Sequence, residues 1–378
     1  MTIGPLETPT LPAGIRSRFM DGVNGMRSHV LEAGDPSKPC IMLLHGFPEL
    51  AYSWRKVMLP LADAGYFVIA PDQRGYGRTT GWTDGYDMDL REFRLFNLVR
   101  DQMALLSAYG RTYVDAVFGH DYGSPVAAHC AMMRPDVFRR VAIMSAPHVG
   151  APVMKPGYGP GDAPQKAIDA ALAALPRPRK HYHYYYAQRP ANEELMQCKQ
   201  GLHAFFRAYY HHKSADWAAN KPHKLSGWTA EELAKMPTYY VMDRAETMAE
   251  TVAREMPSAA EIAACKWMTE EEMAVYAAEY GRTGFQGGLN FYRARIDNIN
   301  AELDLFSGKA IECPSIFIGG SADWGVEQVP GGIDRMRTVA CSDMRAVHSV
   351  PGAGHWVQQE QPEATVALLL EFLRASQA

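Results

Sequence analysis

The chain has 378 residues, of which 47% are hydrophobic and 21% are charged, and its formal net charge is −4. This length exceeds one average domain and predicts either a large domain with an insertion or two domains. The near-neutral charge and the lack of Lys/Arg runs exclude a polyanion-binding surface, so we expect neither nucleic acid nor a membrane as a partner.

The cysteines predict a reducing environment. They show neither C-x-x-C spacing nor a paired pattern, at Cys40, Cys130, Cys198, Cys265, Cys313 and Cys341. Disulfides are therefore not expected. The first residues lack the basic and apolar regions of a signal peptide, and no apolar run reaches transmembrane length. We expect a cytoplasmic protein.

The first part of the chain alternates predicted strands with predicted helices. Residues 1–14 are rich in Pro and Thr and predict no regular structure. Continuous apolar runs such as C-I-M-L-L-H are typical of strands buried on both faces, and Gly110 suits the position just past a helix. We expect strands at 15–20, 26–31, 40–45, 66–70, 114–118 and 141–144, the first two at an edge, and helices at 52–64, 95–106 and 126–133. Such alternation predicts a mostly parallel sheet.

The pattern changes after the sixth strand. Residues 152–300 show no buried strand signal and are helical and aromatic, with H-Y-H-Y-Y-Y at 181–186. Strand character returns at 314–318 and 346–350, and an amphipathic helix at 362–374 closes the chain. We therefore predict a core formed by residues 1–151 and 301–378, with a helical cap at 152–300. The part of this cap from Lys213 to Pro257 has no assigned function.

A sharp strand-to-helix turn is predicted at Gly119-His120-Asp121-Tyr122-Gly123. Glycines two residues before and after a central side chain suit the strained nucleophile elbow, G-x-Nu-x-G, which exposes that side chain at the top of a sheet. Here the central residue is Asp121 rather than serine. The alternative is that Asp121 caps the following helix.

Two further residues complete a catalytic triad in the expected chain order of nucleophile, acid and histidine. Asp323 follows the strand at 314–318, and His355 lies in the Gly-rich loop after the last strand. All three residues are placed at carboxyl ends of strands, where α/β sheets bind ligands. Asp323 could instead cap a helix, with Glu327 as a rival acid. A metal bound by the cap histidines is an alternative that no ligand spacing supports, so no metal or cofactor is expected.

The chain resembles the α/β-hydrolase-fold epoxide hydrolases of the soluble type over nearly its full length. The segments that carry the resemblance are H-G-F-P-E at 45–49, D-Q-R-G-Y-G-R at 72–78, the elbow, and G-F-Q-G-G-L-N-F-Y-R at 284–293. The resemblance implies an α/β-hydrolase fold, with a mostly parallel central sheet flanked by helices and an inserted helical cap. It also implies that Tyr292 activates the epoxide oxygen from the cap.

These enzymes generally use a second cap tyrosine, in a Y-x-x-x-F-Q-x-P pattern. The ungapped match in this chain is H-Y-Y-Y-A-Q-R-P, which places His183 at the key position. A minority of the family uses such a His/Tyr pair. A shift of one residue would instead select Tyr182 or Tyr184, and the alternative for all three is that they are packing residues of the cap.

The resemblance implies hydrolysis of an epoxide to a vicinal diol. Asp121 would form an ester with the substrate, and His355, oriented by Asp323, would activate water to hydrolyse it. The backbone N–H groups of Phe47 and Tyr122 would form the oxyanion hole. Substrate contacts are expected from Trp324, Trp356 and Tyr184. The aromatic cap indicates a small apolar epoxide; the oligomeric state stays open, a homodimer included.

Three other functions remain as alternatives. Haloalkane dehalogenases share the covalent aspartate but place tryptophan after it, where this chain has Tyr122. Fluoroacetate dehalogenases place arginines there to bind a carboxylate, whereas Tyr122-Gly123-Ser124-Pro125 contains none. A relative that binds a small ligand without catalysis would not need the Asp121, Asp323 and His355 set.

Overall fold

The computed structural model describes residues 3–153, 164–297 and 299–376. Ten strands occur in these ranges: β1 Arg16–Val23, β2 Met26–Ala33, β3 Cys40–Leu44, β4 Phe67–Pro71, β5 Ala116–His120, β6 Val141–Met144, β7 Arg179–His181, β8 Val241–Asp243, β9 Ser315–Gly320 and β10 Met344–Val350. Eight of them form one central sheet, in the order β1-β2-β4-β3-β5-β6-β9-β10.

The sheet is mostly parallel, as predicted. Strand β2 runs antiparallel to both of its neighbours, and every other neighbouring pair from β4 to β10 is parallel. The apolar runs of β3 to β6 are completely buried because helices cover both faces of a parallel sheet. One strand differs from expectation: β2 lies between β1 and β4 rather than at the edge, and this explains why it is mostly buried.

Helices follow the strands through the core. Before β6 they are α1 Arg55–Asp63, α2 Leu95–Ala108 and α3 Gly123–Met133. After β9 they are α13 Gly332–Arg335, α14 Val357–Glu360 and α15 Pro362–Ala375. Short 3-10 segments cover Ala51–Trp54, Leu90–Phe93 and Ala301–Phe306, and a π-helical turn covers Met336–Ala340. Gly110 adopts φ +67 just beyond the α2 C-cap, the left-handed conformation that favours glycine at this position.

The region between β6 and β9 carries most of the remaining helices. They are α4 Pro164–Ala173, α5 Tyr182–Tyr186, α6 Ala191–Met196, α7 Gly201–Lys213, α8 Ala230–Leu233, α9 Met248–Ala253, α10 Ala259–Ala264, α11 Glu270–Thr283 and α12 Gln286–Ile296. We call this layer the cap. The prediction of a purely helical cap was wrong, because β7 and β8 pair in an antiparallel two-stranded sheet. These strands have three residues each and are partly polar, so they leave no periodic signal. Residues 154–163 and 298 of the predicted cap lie outside the described residues.

Glycines bring the cap helix α12 against a loop of the core. A Cβ on Gly287 would overlap the backbone of Gly75, and a Cβ on Gly288 would press on the ring of Phe47. Only residues without a side chain permit this backbone approach. The close contact explains the two glycines of the 284–293 segment, and it places Tyr292, one turn further along α12, over the core.

Among the helices of the described ranges, none has the length and apolar composition needed to cross a lipid bilayer.

Candidate active site

The turn after β5 forms the predicted elbow. Asp121 adopts φ +50, a left-handed conformation that is rare for residues other than glycine. A Cβ on Gly119 would overlap the Gly123 backbone, and a Cβ on Gly123 would overlap the backbone of Leu44. The two glycines are therefore required by the tight turn. The Asp121 side chain does not cap α3, whose N-cap is Tyr122 without a side-chain hydrogen bond.

The side chains of Asp121, His355 and Asp323 lie together at the carboxyl ends of their strands. Nδ1 of His355 is 3.1 Å from Oδ1 of Asp323, and Nε2 is 3.2 Å from Oδ2 of Asp121. The Nε2 contact lacks the alignment of a hydrogen bond, so this nitrogen can still accept a proton from water. Glu327, the alternative acid, does not contact His355 within the described structure.

The electrostatics of the candidate triad keep Asp121 ionised. Burial would raise the pKa of Asp121, but the adjacent His355, with help from the charge of Lys213, holds it below its usual range. Burial and Lys213 would lower the pKa of His355, yet the carboxylates of Asp323 and Asp121 raise it above its usual value. The Asp323 pKa is lowered because His355 and the N–H of Gly325 outweigh the effect of burial.

One oxygen of Asp121 accepts a hydrogen bond from one of the two predicted oxyanion-hole donors. The backbone N–H of Phe47 donates a 2.8 Å hydrogen bond to Oδ1 of Asp121. The other predicted donor, the N–H of Tyr122, lies at the start of α3 directly after the nucleophile. Oδ2 remains on the side of His355. The two carboxylate oxygens of Asp121 therefore have different environments.

A cavity of about 370 Å³ opens beside Asp121. Tyr292 lines it from α12, and its buried ring packs edge-on against Phe47 at 5.4 Å. Burial raises the pKa of Tyr292 well above its usual value, and the charge of Asp121 adds to this, so the hydroxyl stays protonated. His183 of α5 lines the same cavity, with its ring 5.3 Å from that of Tyr292.

The other predicted cap residues differ in position. Tyr182 lines the cavity, but its hydroxyl donates to Oε1 of Gln328 at 3.1 Å. Tyr184 is not part of the lining, so neither a substrate contact nor a donor role is supported for it. The helical twist of α5 explains this, because successive residues point about 100° apart.

The two tryptophans expected to contact substrate pack against other residues and do not line the cavity. Trp356 stacks on Tyr210 of the cap at 4.1 Å, and its Nε1 donates to the Tyr210 carbonyl. Trp324 packs edge-on against His223 at 4.8 Å. Both are buried outside the lining of the cavity. Each tryptophan directly follows a residue of the candidate triad in sequence, yet neither lines the cavity.

Lys213 is a site residue that the sequence analysis missed. It is 2% exposed, and its Nζ lies 5.1 to 5.8 Å from the ring centroids of Tyr209, Tyr239, Tyr240 and Trp356. Burial lowers its pKa, whereas the charges of Asp121, Asp323 and Glu49 raise it. A lysine at the end of a helix is common, so no local pattern could have indicated this enclosure.

Glu360 joins the histidine loop to the cap. Its carboxylate accepts hydrogen bonds from the backbone N–H groups of Gly354, Trp356 and Ala215, at 2.8 to 2.9 Å. On the other side, Nε2 of His120 lies 2.7 Å from the carbonyl oxygen of His355. These contacts hold the backbone around His355 from both sides. No group of three or more potential metal-ligating side chains occurs in the described part of the chain.

Comparison with known proteins agrees with this geometry. Residues 39–173 match the model of the alpha/beta hydrolase fold family. The fold and the candidate triad together define an α/β hydrolase.

More specific relatives cover almost the whole chain. Epoxide hydrolase A of Mycobacterium tuberculosis is 33% identical over 364 residues, which covers 94% of this chain and 96% of the relative. Among solved structures, an epoxide hydrolase from an endophytic Streptomyces has a TM-score of 0.77 at 28% identity, with 96% of each chain covered. Epoxide hydrolase A from Mycobacterium thermoresistibile has a TM-score of 0.74 at 31% identity, covering 95% of this chain and 98% of that one. The chain belongs to the epoxide hydrolase family of the α/β-hydrolase fold.

Proposed function

We propose that this protein hydrolyses a small-molecule epoxide to a vicinal diol through an ester on Asp121. The proposal rests on one observation, the different environments of the two Asp121 oxygens. Oδ1 is held by the Phe47 N–H, while Oδ2 lies beside His355 at the cavity that Tyr292 also lines. A carboxylate in this position can attack an sp³ carbon with one oxygen and place the other in the oxyanion hole.

In the first step, Oδ2 of Asp121 bonds to an epoxide carbon and the carbon–oxygen bond of the ring breaks. The released electron pair stays on the epoxide oxygen, which takes the proton of the Tyr292 hydroxyl. His183 lines the same cavity and serves as the second group that stabilises the developing charge. The products of this step are an ester on Asp121 and a tyrosinate.

In the second step, His355 takes a proton from water and the resulting hydroxide attacks Cγ of Asp121. The oxyanion is stabilised by the N–H groups of Phe47 and Tyr122, while Asp323 stabilises the imidazolium. Collapse breaks the Cγ–Oδ2 ester bond and releases the diol. The two protons of the water pass to the diol oxygen and to Tyr292, so the enzyme returns to its starting state.

The proposal also covers the character of the substrate, the division into core and cap, and the location of the protein. Leu95, Trp228, Leu303 and Val329 line the cavity and suit an apolar body of the substrate. We retain the division into a core of residues 1–151 and 301–378 and a cap of residues 152–300. All six cysteines are free thiols, which supports a reducing, cytoplasmic location.

A dehalogenase is less well supported, because the residue after the nucleophile is already engaged. The Tyr122 hydroxyl donates a 2.9 Å hydrogen bond to the carbonyl of Phe291 and is not free to bind a halide.

A single-turnover experiment in H₂¹⁸O tests the mechanism. With enzyme in excess over styrene oxide, the first diol should contain no ¹⁸O, because its new oxygen comes from Asp121, and the label should appear in the peptide that contains Asp121. Incorporation of ¹⁸O into the first diol would indicate direct attack by water and would refute the ester. Asp121→Ala should form no diol.

A further inference from the structure

Most of the ionisable side chains that line the cavity are basic. Among the described lining residues, Asp121 is the one carboxylate and Arg295 is the one arginine or lysine. Four histidines also line it: His129, His148, His181 and His183. Burial lowers the pKa of each histidine, to about 4 for the first and about 3 for the next two. Apart from Asp121, the described part of the lining therefore offers one cation and neutral imidazoles, but no second anion.

The guanidinium of Arg295 has no partner among the described residues. Arg293, two residues earlier on the buried side of α12, is engaged in structure: it donates to Oδ1 of Asn290 at 2.9 Å and stacks on the Tyr86 ring at 3.8 Å. Arg295 is exposed, and no ion pair, side-chain hydrogen bond or ring contact joins it to the described chain. Within the described residues, this arginine is free to bind a ligand.

The charge of Arg295 acts on the interior of the cavity. Burial lowers the pKa of His181 and His183, and Arg295 lowers both further. It also opposes the increase that burial causes in the pKa of Tyr122, the residue next to the nucleophile. An exposed arginine that only faced solvent would not influence groups on both the cap and the core side of the cavity.

His148 provides a second polar group without a partner. Its side chain is 94% buried in the same lining, and Nε2 forms no hydrogen bond within the described structure. Its ring packs edge-on against His129 at 5.2 Å, while Nδ1 of His129 is 2.6 Å from the carbonyl of Pro125. This nitrogen is itself buried, so it does not open onto the cavity and does not serve as a contact for a ligand.

We propose that the substrate is an epoxide that carries a carboxylate, with the guanidinium of Arg295 as its counter-ion. This rests on the proposed function. A planar guanidinium matches a carboxylate with two parallel hydrogen bonds. Arg295 also offsets the repulsion between the carboxylate and Asp121. A cavity of about 370 Å³ lies near the lower end of ligand sites and suits a compact, single-ring epoxide acid.

Matched substrates test the proposal. Turnover of 3- and 4-(oxiran-2-yl)benzoate is compared with that of their neutral methyl esters, for the wild type, Arg295→Gln and Arg295→Lys. We expect Arg295→Gln to lower kcat/KM at least tenfold for one of the acids and less than twofold for its ester. Arg295→Lys should retain part of the preference, and the preference should weaken at high salt because the site is exposed. Arg337→Gln removes an exposed charge outside the cavity and should leave kcat/KM for the acids and for the esters unchanged.

Two outcomes would overturn the proposal: an equal effect of Arg295→Gln on acid and ester, or no effect on either. A preference for a phosphorylated epoxide over both acids would keep an anion site but refute the carboxylate. Binding of the unreactive 3- and 4-ethylbenzoates, measured by calorimetry, separates the anion site from catalysis. Binding of one of them that weakens tenfold in Arg295→Gln would support the site even if no epoxide were turned over, whereas unchanged binding would refute it.

Discussion

The backbone carbonyl of Lys213 accepts a 2.9 Å hydrogen bond from the backbone N–H of His355. A residue of the cap therefore holds the catalytic loop of the core, and the same residue places a buried ammonium among four aromatic rings beside the triad. Lys213 begins the cap stretch to which the sequence assigned no role. The arrangement couples the position of the cap to the histidine that is proposed to activate water.

Lys213 should set the pH dependence of ester hydrolysis. In the free enzyme, Asp323 and Asp121 raise the pKa of His355 and Lys213 lowers it; in the ester Asp121 carries no charge, so Asp323 and Lys213 remain. Only neutral His355 can act as the base, so hydrolysis of the ester rises with pH through this pKa. Lys213→Met removes a group that lowers the pKa, and the acid limb should move to higher pH. Single-turnover rates of ester hydrolysis across pH measure the shift.

Lys213→Arg provides the matched control, because it keeps the positive charge and should retain the acid limb of the wild type. An acid limb that stays in place in Lys213→Met, or moves to lower pH, would contradict the electrostatic role. A fall in the melting temperature without any change of the pH profile would indicate a role in packing alone.

Replacement of His355 should separate the two chemical steps. In His355→Gln, Asp121 can still open the epoxide, but water is no longer activated. The ester should accumulate and appear as a mass increase equal to one substrate molecule, in a peptide that contains Asp121. Intact-protein mass spectrometry after addition of styrene oxide measures this, with Asp121→Ala as the control that should gain no mass. Normal diol formation by His355→Gln would refute the assignment of the base.

Loss of the Tyr292 hydroxyl should slow ring opening. Removal of one donor to a developing oxyanion costs about 3 kcal/mol, or roughly a hundredfold in rate. Tyr292→Phe should therefore slow ester formation by about that factor under single-turnover conditions, while hydrolysis of the ester changes less.

The control for this prediction is Tyr185→Phe. The Tyr185 hydroxyl donates to Glu194 at 2.7 Å, outside the cavity lining, so ring opening should stay within twofold of the wild type. An equal rate of ring opening in Tyr292→Phe and the wild type would remove Tyr292 from the mechanism.

The glycine contact between cap and core should be intolerant of a methyl group. In Gly287→Ala the new Cβ would overlap the Gly75 backbone, so α12 must move away and displace Tyr292. We expect destabilisation by about 1–3 kcal/mol and a clear loss of kcat/KM. Chemical denaturation and steady-state kinetics measure the two effects.

Gly281→Ala is the matched change in the neighbouring helix α11. There the nearest atom to a new Cβ is a Leu202 methyl group at 3.5 Å, an ordinary contact. Alanine should stabilise that helix by about 0.5–1 kcal/mol and leave the activity unchanged. Equal behaviour of the two variants would show that the close approach of Gly75 and Gly287 is not required.

The sequence alone determined the parallel sheet and the positions of the elbow, the acid and the histidine. Runs such as Cys40–Leu44 are buried on both faces of a sheet, and this requirement is visible in consecutive residues. The glycines around Asp121 are likewise dictated by a local turn. In each case the physical cause lies within a few residues of its effect, so a pattern in one stretch of chain is sufficient.

Only the tertiary structure decided which side chains surround the cavity. Tyr184 and the two tryptophans were expected to contact substrate but do not line the cavity, whereas Arg295 and His148, which line it, and Lys213, which lies beside the triad, carried no sequence signal. Even the short pairing of β7 with β8 depends on residues about sixty positions apart. Such contacts arise when distant segments pack together, and the direction of a side chain on a short helix changes by about 100° with each residue. Local pattern therefore defines the catalytic framework, and long-range packing defines what the framework can bind.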